Sequence, residues 1–152
     1  MKVLNDAHNI EYGKKPDIVV KAPGRFHLIG EHSWFFKDKT ISMAVNLPVY
    51  AAISKRDDLS LKFYFHQLNE RKKSSISALK YKKEDRWANV IKAIISGFIS
   101  MGYDLYGMDV TIYSEILPSA GFGITTAIKC AAAMAINELF ELNCNEQQLL
   151  PP

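Results

Sequence analysis

Hydrophobic and polar residues alternate in two stretches of the chain, and this alternation predicts β-strands. Leucine and phenylalanine occupy every second position in residues 59–66, with polar or amphipathic residues between them. Met108, Val110 and Ile112 alternate with polar neighbours in the same way. A period of two is typical of strands that bury one face. Residues 18–22 also look like a strand that Pro23 and Gly24 stop, and residues 41–45 and 49–54 look like strand segments that Pro48 interrupts.

Two later stretches have apolar residues three and four positions apart, and this spacing predicts helices. The first stretch lies between Asp85, a candidate helix cap, and Gly102, a candidate end. Its apolar stripe consists of Trp87, Ile91, Ile94, Phe98 and Met101. The second stretch, residues 125–142, places Ile128, Ala131, Ala135, Leu139 and Leu142 on one side. Its alanines permit close approach to a sheet, and residues 145–150 are expected to begin another helix.

The remaining segments are polar and predict connections. Residues 1–16 look like a polar lead-in, and residues 118–123 look like a loop. The basic segment 69–84 indicates a solvated loop or hairpin, with a phosphate-attracting patch as the alternative. The order of strands, helix, strand, glycine loop and helix predicts an α+β domain whose helices pack on one sheet.

Composition excludes several classes of protein. The chain has 152 residues, 48% of them hydrophobic and 23% charged, which suits one soluble domain. Its formal net charge of +3 permits anionic ligands but does not indicate nucleic acid as a partner. No apolar run reaches the roughly 18 residues of a membrane span, and residues 1–17 lack the apolar core of a signal peptide. Two cysteines make no disulfide framework, so we expect reduced thiols and a cytoplasmic protein. The weak net charge and the lack of a long apolar run lead us to expect no nucleic-acid or membrane partner.

The stretch SAGFGITTA, residues 119–127, joins a predicted strand to a predicted helix. Its glycines free the backbone to approach a ligand, and N–H groups at a helix N-terminus favour an anion. Thr125 and Thr126 add hydroxyls that suit phosphate or Mg²⁺. No lysine follows the glycines, so the stretch is not a Walker loop. A plain tight turn is the alternative interpretation.

A second chemical stretch, KAPGRFHLIGEH, occupies residues 21–32. Arg25 is a permanent cation whose planar fork suits phosphate or carboxylate. Glu31 and His32 are adjacent, so both reach one ligand only if they lie in a loop. A structural ion pair between Arg25 and Glu31 is the alternative.

Three motifs in this chain resemble those of galactokinases, which belong to the GHMP superfamily of small-molecule kinases. APGRFHLIGEH resembles the family's A-P-G-R-V-N-L-I-G-E-H-T-D-Y signature, and RWANV at 86–90 resembles R-W-A-N-Y. ILPSAGFGITTA at 116–127 resembles the P-x-G-x-G-L-S-S-S-A loop. The motifs follow the family order, so the resemblance covers most of the chain, from about residue 18 to 142.

The resemblance implies the GHMP kinase N-terminal domain, a fold like domain 2 of ribosomal protein S5, over residues 1–152. It implies phosphoryl transfer from ATP, with Mg²⁺, to a sugar hydroxyl, and thus a galactokinase-type sugar 1-kinase. Arg25 matches the catalytic arginine beside the transferred phosphoryl group, and Thr126 matches the serine that helps to hold Mg²⁺. The sugar-binding positions are Glu31, His32, Ser33 and Trp34. The nucleotide-binding positions are Trp87 and Asn89 near the adenine, and Ala120, Gly121, Phe122, Gly123, Ile124, Thr125 and Thr126 at the phosphates.

The segment after Glu31 and His32 departs from the family pattern. Family sequences continue with Thr-Asp-Tyr, whereas this chain has Ser33, Trp34 and Phe35. Indole only donates a hydrogen bond, so Trp34 cannot accept one from a galactose hydroxyl as the family's Asp does. We therefore expect an altered sugar specificity. Trp34 either stacks on a sugar face or packs beneath the loop with its aromatic neighbours.

The glycine loop also departs from the family pattern. Phe122 stands where the family has a glycine, and Ile124 replaces a serine, unless Gly121 and Gly123 keep their roles by a one-residue slip. The family's catalytic Asp lies beyond this loop, in sequence that the chain does not contain, as does the C-terminal domain. We therefore expect the 152-residue chain alone to be inactive. A non-catalytic sugar- or nucleotide-binding sensor on the same scaffold is the alternative function.

Overall fold

Within the described residues, five strands join into one mixed sheet, and helices cover both of its faces. The computed structural model describes residues 1–30, 39–117 and 119–149. The strands are β1 (Ile18–Ile29), β2 (Ile41–Lys55), β3 (Ser60–Phe65), β4 (Glu70–Ser75) and β5 (Met108–Ser114). The helices are α1 (Lys2–Tyr12), α2 (Ala88–Ser100), α3 (Ile124–Leu139) and α4 (Glu146–Leu149).

The strands follow the order β1-β2-β5-β3-β4 across the sheet. Neighbouring strands are antiparallel, except that β3 and β5 run parallel. Helix α2 lies in the connection that leads from β4 to β5, as a parallel pair requires a long crossover. The predicted α+β domain is confirmed, and the basic segment after residue 69 begins as a hairpin strand paired with β3.

The main core lies between one face of the sheet and helices α2 and α3. Ile53, Phe63 and Val110 are buried on this face of the three inner strands. Helix α3 meets them with small side chains, which are Ala127, Ala131, Ala132 and Ala135. The predicted close approach of this helix to the sheet is therefore confirmed.

Strands β1 and β2 continue through the prolines that were expected to interrupt them. Pro23 lies inside β1 and Pro48 inside β2, and the register shifts between Ala22 and Gly24. β1 is an edge strand, so the missing N–H of Pro23 removes no essential ladder bond. The predicted strand end at Pro23 is wrong. The predicted interruption at Pro48 is a register shift between Val45 and Val49 and does not divide β2.

The N-terminal segment is a helix, so the predicted polar lead-in is wrong. Helix α1 buries Leu4, Ala7 and His8, which are spaced three and four positions apart. It packs on the face of the sheet opposite α2 and α3, since Ser54 and Thr111 alternate with core residues along β2 and β5. The polar character of the segment concealed this amphipathic pattern.

His8 is fully buried and holds α1 to the sheet. Its two ring nitrogens lie 2.9 Å from the hydroxyl oxygens of Thr111 and Ser54. Burial lowers the pKa of His8 to about 4, although the nearby carboxylate of Asp109 acts in the opposite direction. His8 is therefore a neutral imidazole at pH 7. Its hydrogen bonds to two hydroxyl groups are structural, because the ring is fully buried.

Asp85 does not cap helix α2, contrary to the prediction. The helix begins at Ala88 after Trp87, and no side chain of the described residues caps it. The Asp85 carboxylate instead forms a buried ion pair with Lys92, one turn inside the helix. Of the predicted apolar stripe, Ile91 and Phe98 are buried, whereas Met101 is largely exposed.

The remaining helix predictions agree with the structure apart from their ends. Helix α3 ends at Leu139, three residues before the predicted end, and α4 is short. Among the described residues, no helix has the length and apolar character that crossing a membrane requires.

Candidate active site

Arg25 and the glycine loop, far apart in sequence, lie side by side in the structure. The backbone N–H of Arg25 donates a 2.8 Å hydrogen bond to the carbonyl of Phe122. A Cβ placed on Gly123 would lie 3.4 Å from the Cβ of Arg25. The outer edge of β1 is thus joined directly to the loop that leads into α3.

The loop presents unsatisfied donors at the N-terminus of α3. Gly121 and Gly123 have φ angles of 76° and 67°, a conformation that disfavours any side chain. Gly123 is the N-cap residue of the helix. No described side chain accepts a hydrogen bond from the N–H groups at this helix N-terminus. The Ala127 N–H makes the first helical bond, to the Gly123 carbonyl at 3.0 Å. The N–H groups before Ala127 and the helix dipole therefore favour an anion.

The side chains of the loop divide between solvent and core. Thr125, Thr126 and Ala120 are exposed, so both threonine hydroxyls are accessible to a ligand. Ile124 is half-buried against the core. The ring of Phe122 packs against that of Phe26 on β1, with 5.8 Å between the ring centroids.

The guanidinium group of Arg25 is exposed. It makes no ion pair or side-chain hydrogen bond within residues 1–30, 39–117 and 119–149. The alternative partner from the sequence, Glu31, lies outside the described residues. Arg25 thus places a permanent positive charge beside the N-terminus of α3, where the helix dipole is also positive.

The four expected sugar-binding positions, Glu31, His32, Ser33 and Trp34, lie outside the described residues. The structure does describe the two ends of the segment that contains them. A Cβ on Gly30 would lie 2.7 Å from the carbonyl oxygen of Lys39, so glycine is required there. Gly30 and Lys39, the residues on either side of the segment, therefore lie close together just beyond the last β1–β2 pair, Ile29 and Ile41.

Trp87 and Asn89 lie near the other edge of the sheet from Arg25. The Trp87 ring meets Phe65 of β3 edge to face, and its indole N–H donates to Glu70 at 2.9 Å. The Asn89 side chain makes two hydrogen bonds to the backbone of Lys82. Unlike Arg25, these residues have their polar groups engaged by the protein itself.

The surface beside Arg25 is apolar at the tip of the β1–β2 pair. Five large side chains there are each at least 42% exposed, and they are Phe26, Leu28, Ile29, Ile41 and Met43. An exposed apolar group of this kind is typical of a surface that takes part in an interaction. It lies next to Arg25 and the glycine loop.

A basic hollow at the opposite end of β2 was not predicted from the sequence. Its volume is about 410 Å³, and it is lined by Lys14, Lys55, Arg56, Asp57 and Asp58. Arg56 pairs with Asp58 and with the buried Asp109. These carboxylates neutralise the charge of Arg56. The hollow contains none of the predicted site residues.

No cluster of three or more His, Cys, Asp or Glu side chains suited to a metal ion occurs in the described part of the chain. The hydroxyls of Thr125 and Thr126 are exposed at the first turn of α3, and that of Thr126 is the oxygen ligand that the family resemblance implies. A hard cation at this position would therefore depend on oxygen ligands from a bound phosphate as well as on Thr126.

Two family models match this chain. Residues 6–55 match the galactokinase galactose-binding signature, and residues 88–151 match the GHMP kinase N-terminal domain. The first match contains Arg25 and the segment to Trp34, and the second contains the glycine loop.

Related proteins extend well beyond the length of this chain. A Treponema pallidum protein that bears a galactokinase name is 42% identical over 140 residues, which are 92% of this chain and 35% of that protein. The crystal structure of Lactococcus lactis galactokinase complexed with galactose matches with a TM-score of 0.84 at 21% identity, over 97% of this chain and 39% of that one. Methanococcus jannaschii mevalonate kinase matches with a TM-score of 0.74 at 17% identity, over 87% of this chain and 43% of that one. The chain thus spans little more than a third of the galactokinases that it matches.

Proposed function

Because this chain is a galactokinase-like member of the GHMP kinase superfamily, we propose that it forms the N-terminal domain of an ATP-dependent sugar 1-kinase. In this proposal residues 1–152 carry the sugar segment and the phosphate loop, and a C-terminal domain completes the cleft. The observation that supports it most is the junction of Arg25 with the Gly123 loop. A permanent cation and an uncapped helix N-terminus are combined there, as phosphoryl transfer needs.

The chain's own residues act mainly by positioning and by neutralising charge. The backbone N–H groups of residues 121–126 bind the phosphates of ATP, and the exposed hydroxyls of Thr125 and Thr126 add donors. Arg25 stabilises the charge that redistributes over the transferred phosphoryl group. The family's general base lies outside this sequence, so proton removal from the sugar hydroxyl belongs to another part of the protein.

Mg²⁺ fits this site as a companion of the nucleotide. The exposed Thr126 hydroxyl supplies one oxygen ligand, and phosphate oxygens supply others, as Mg²⁺ prefers. Bound there, the ion would neutralise charge on the phosphates. The chain contributes Thr126 to hold it and Arg25 to share that charge.

Sugar recognition is assigned to Glu31, His32, Ser33 and Trp34, within the galactose-binding signature match. Glu31 and His32 bind sugar hydroxyls, whereas Trp34 replaces an acceptor with a bulky donor. Loss of a buried acceptor lowers affinity by about ten- to a hundredfold. We therefore propose that galactose is a poor substrate and that another monosaccharide is preferred.

The test of sugar choice uses titration calorimetry on the full-length protein. Galactose should bind weakly to the unmodified protein, and Trp34→Asp should bind it at least tenfold more tightly. Trp34→Phe is the matched control, because it keeps an aromatic ring without restoring an acceptor. Tight galactose binding by the unmodified protein would refute the altered specificity.

The adenine is assigned to the region of Trp87 and Asn89. The indole N–H of Trp87 is bonded to Glu70, and both ends of the Asn89 amide are bonded to Lys82. These residues therefore contribute through ring contact and through the shape of the segment that they hold. A direct hydrogen bond from Asn89 to the base would require those existing bonds to break.

A non-catalytic sugar and nucleotide sensor is the second candidate, and the altered loop favours it. Phe122 and Ile124 replace residues that the family keeps small or polar, and Trp34 alters the sugar segment. A kinase assay with a panel of monosaccharides, followed by phosphorus NMR of the product, separates the two functions. Phosphate on the anomeric hydroxyl supports the kinase. Binding of ATP and sugar without turnover on any panel member supports the sensor.

A further inference from the structure

Two residues of the glycine loop are attached to the protein by apolar contacts. Phe122 and Ile124 are half-buried, and both pack against the core. Gly121 and Thr125, which alternate with them along the chain, are exposed. One side of the loop is thus attached to the protein, and the side that carries the proposed phosphate contacts is left open.

Phe122 is joined to β1 at two points. Its carbonyl accepts the 2.8 Å hydrogen bond from the Arg25 N–H. Its ring contacts that of Phe26, with 5.8 Å between the centroids and 41° between the planes. Arg25 and Phe26 are consecutive in the strand, so the two contacts lie side by side. A single hydrogen bond leaves two segments free to pivot about it, whereas a second contact beside it fixes their relative orientation.

The regular pairing of β1 is short where Arg25 lies. Its register with β2 is regular from Gly24 to His27 and shifts on either side of that stretch. Such irregularities disrupt the hydrogen-bond ladder and bend the strand. β1 is also an edge strand, with β2 as its neighbour in the sheet. The sheet alone therefore constrains Arg25 less than it constrains a residue of an inner strand.

The backbone of the loop is also weakly constrained by its own sequence. Gly121 and Gly123 flank Phe122 and have φ angles of 76° and 67°. Glycine reaches many conformations at little cost, so two glycines around one residue give the loop wide conformational freedom. Phe122 is the side chain between them, and its contact with Phe26 restrains the backbone on both sides.

Both rings depart from the family motifs. The galactokinase signature has valine at the position of Phe26, and the family loop has glycine at that of Phe122. Valine and glycine cannot form a contact between two rings, so this attachment is a feature of the present chain. Each replacement supplies the partner that the other one packs against.

This attachment bears on turnover more than on ATP affinity. The N–H groups of the loop move together with the loop, and they reach the phosphates wherever it lies relative to β1. Arg25 belongs to β1, so it meets the transferred phosphoryl group only if the strand and the loop are correctly placed. A misplacement of about 1 Å is enough to lower a rate by up to about a hundredfold.

We propose that Phe26 and Phe122 are positioning residues that fix Arg25 against the phosphate loop, and so raise kcat without contributing to ATP affinity. This inference rests on the proposed function, because it takes Arg25 to act on the transferred phosphoryl group. The two rings act through Arg25 and the loop rather than by contact with a substrate.

The experiment measures kcat of the full-length protein on a panel of monosaccharides that includes D-galactose, D-glucose and D-mannose, and the Kd of ATP by titration calorimetry. Phe122→Gly and Phe26→Val should each lower kcat about tenfold at unchanged ATP affinity. The two substitutions together should lower kcat no further than either alone, because they remove one shared contact. Phe26→Tyr keeps the ring and should keep kcat.

A matched control separates positioning from stability. Phe140 is another half-buried ring packed against the core, and it lies at the opposite end of α3 from the loop. Phe140→Gly should lower the urea unfolding midpoint, as Phe122→Gly does, and leave kcat unchanged.

Hydrogen exchange gives a second measurement that does not depend on turnover. Phe26→Val should speed exchange at the amides of Gly121 and Gly123, although the substitution lies on β1. This result is expected only if the ring of Phe26 restrains the loop across space.

A combination with Arg25→Ala tests the route of the effect. In that background Phe122→Gly should lower kcat little further, because the group that it positions is already absent. Additive losses, normal kcat in both ring variants, or unchanged exchange of the loop in Phe26→Val would each overturn the positioning role and leave the proposed function intact. Failure of the unmodified protein to phosphorylate any sugar of the panel would overturn the kinase and this inference together.

Discussion

The loop region around Arg25 and the segment before α2 use their polar groups in opposite ways. At Arg25 the guanidinium is exposed beside an uncapped helix, and both threonines of the first turn face solvent. Before α2, the side chains of Asp85, Asn89 and Lys92 are all bonded within the protein. In the first region the polar groups are free to bind a ligand, whereas in the second they form hydrogen bonds and an ion pair that hold the segment in place.

This difference separates two kinds of contribution to a site. Substitutions in the Arg25 region should change reaction or binding with little effect on folding, since exposed groups contribute little to stability. Substitutions in the segment before α2 should change stability first, because they leave buried charges without partners. The comparison fails if both regions respond alike.

The largest expected effect is on turnover, in Arg25→Ala of the full-length protein. The kcat should fall on the order of 10³-fold or more, because the charge on the transferred phosphoryl group loses its partner. Sugar affinity and the urea unfolding midpoint should change little. Arg25→Lys is the matched control and should restore little activity, since a point charge does not replace a planar fork. Near-normal turnover in Arg25→Ala would make the arginine a structural residue.

The second prediction concerns Lys92→Met alone, which should show the opposite behaviour. The free energy of unfolding should fall by about 3–5 kcal/mol, because the Asp85 carboxylate stays buried without its cation. Urea denaturation followed by tryptophan fluorescence measures this loss. Replacing Asp85 by Leu in the same protein should recover most of it. A fully stable single variant would show that Asp85 reaches solvent when its partner is removed.

The third prediction concerns the pH dependence of stability that comes from His8, which limits the pH range in which the two regions can be compared. The pKa of His8 is lowered from 6.5 to about 4 in the folded protein, so the unfolded chain takes up the proton first as the pH falls. Stability from this residue is complete above pH 6.5 and decreases toward pH 4, by about 3 kcal/mol in total. His8→Gln should flatten this pH dependence. An equally steep acid loss in that variant would assign it to other groups.

The smallest expected effect comes from Phe122→Gly. Its ring packs on Phe26, so the substitution should lower stability by about 1–2 kcal/mol. ATP affinity should stay the same, because Gly121 and Gly123 already have the left-handed backbone that the loop needs. Tighter ATP binding in Phe122→Gly would instead mean that the ring crowds the phosphates.

The inner strands and α3 were predictable because their sequence patterns are local. Alternation in β3 and β5, and the alanines of α3, reflect burial that each element shows by itself. The glycine loop could be singled out for the same reason, since its glycines and threonines are consecutive in the chain. Arg25 was singled out by its own motif, but its position beside the loop required the fold.

The errors arose where distant partners decide the structure. His8 is polar, and its hydroxyl partners lie 46 and 103 residues away, so α1 looked like a lead-in. The spacing of Leu4, Ala7 and His8 was the signal that would have revealed it. An aspartate just before a helical stretch is typical of a helix cap, but Asp85 pairs with Lys92, a lysine among buried residues of α2.

The most direct test of the account is a crystal structure of the full-length protein with a non-hydrolysable ATP analogue and Mg²⁺. We predict phosphate oxygens within about 3 Å of backbone N–H groups in residues 121–126, and Thr126 beside the ion. The Arg25 guanidinium should contact the terminal phosphate. A bound triphosphate that lies away from the N-terminus of α3 would contradict the central claim that Arg25 and this loop together form the phosphoryl-transfer site.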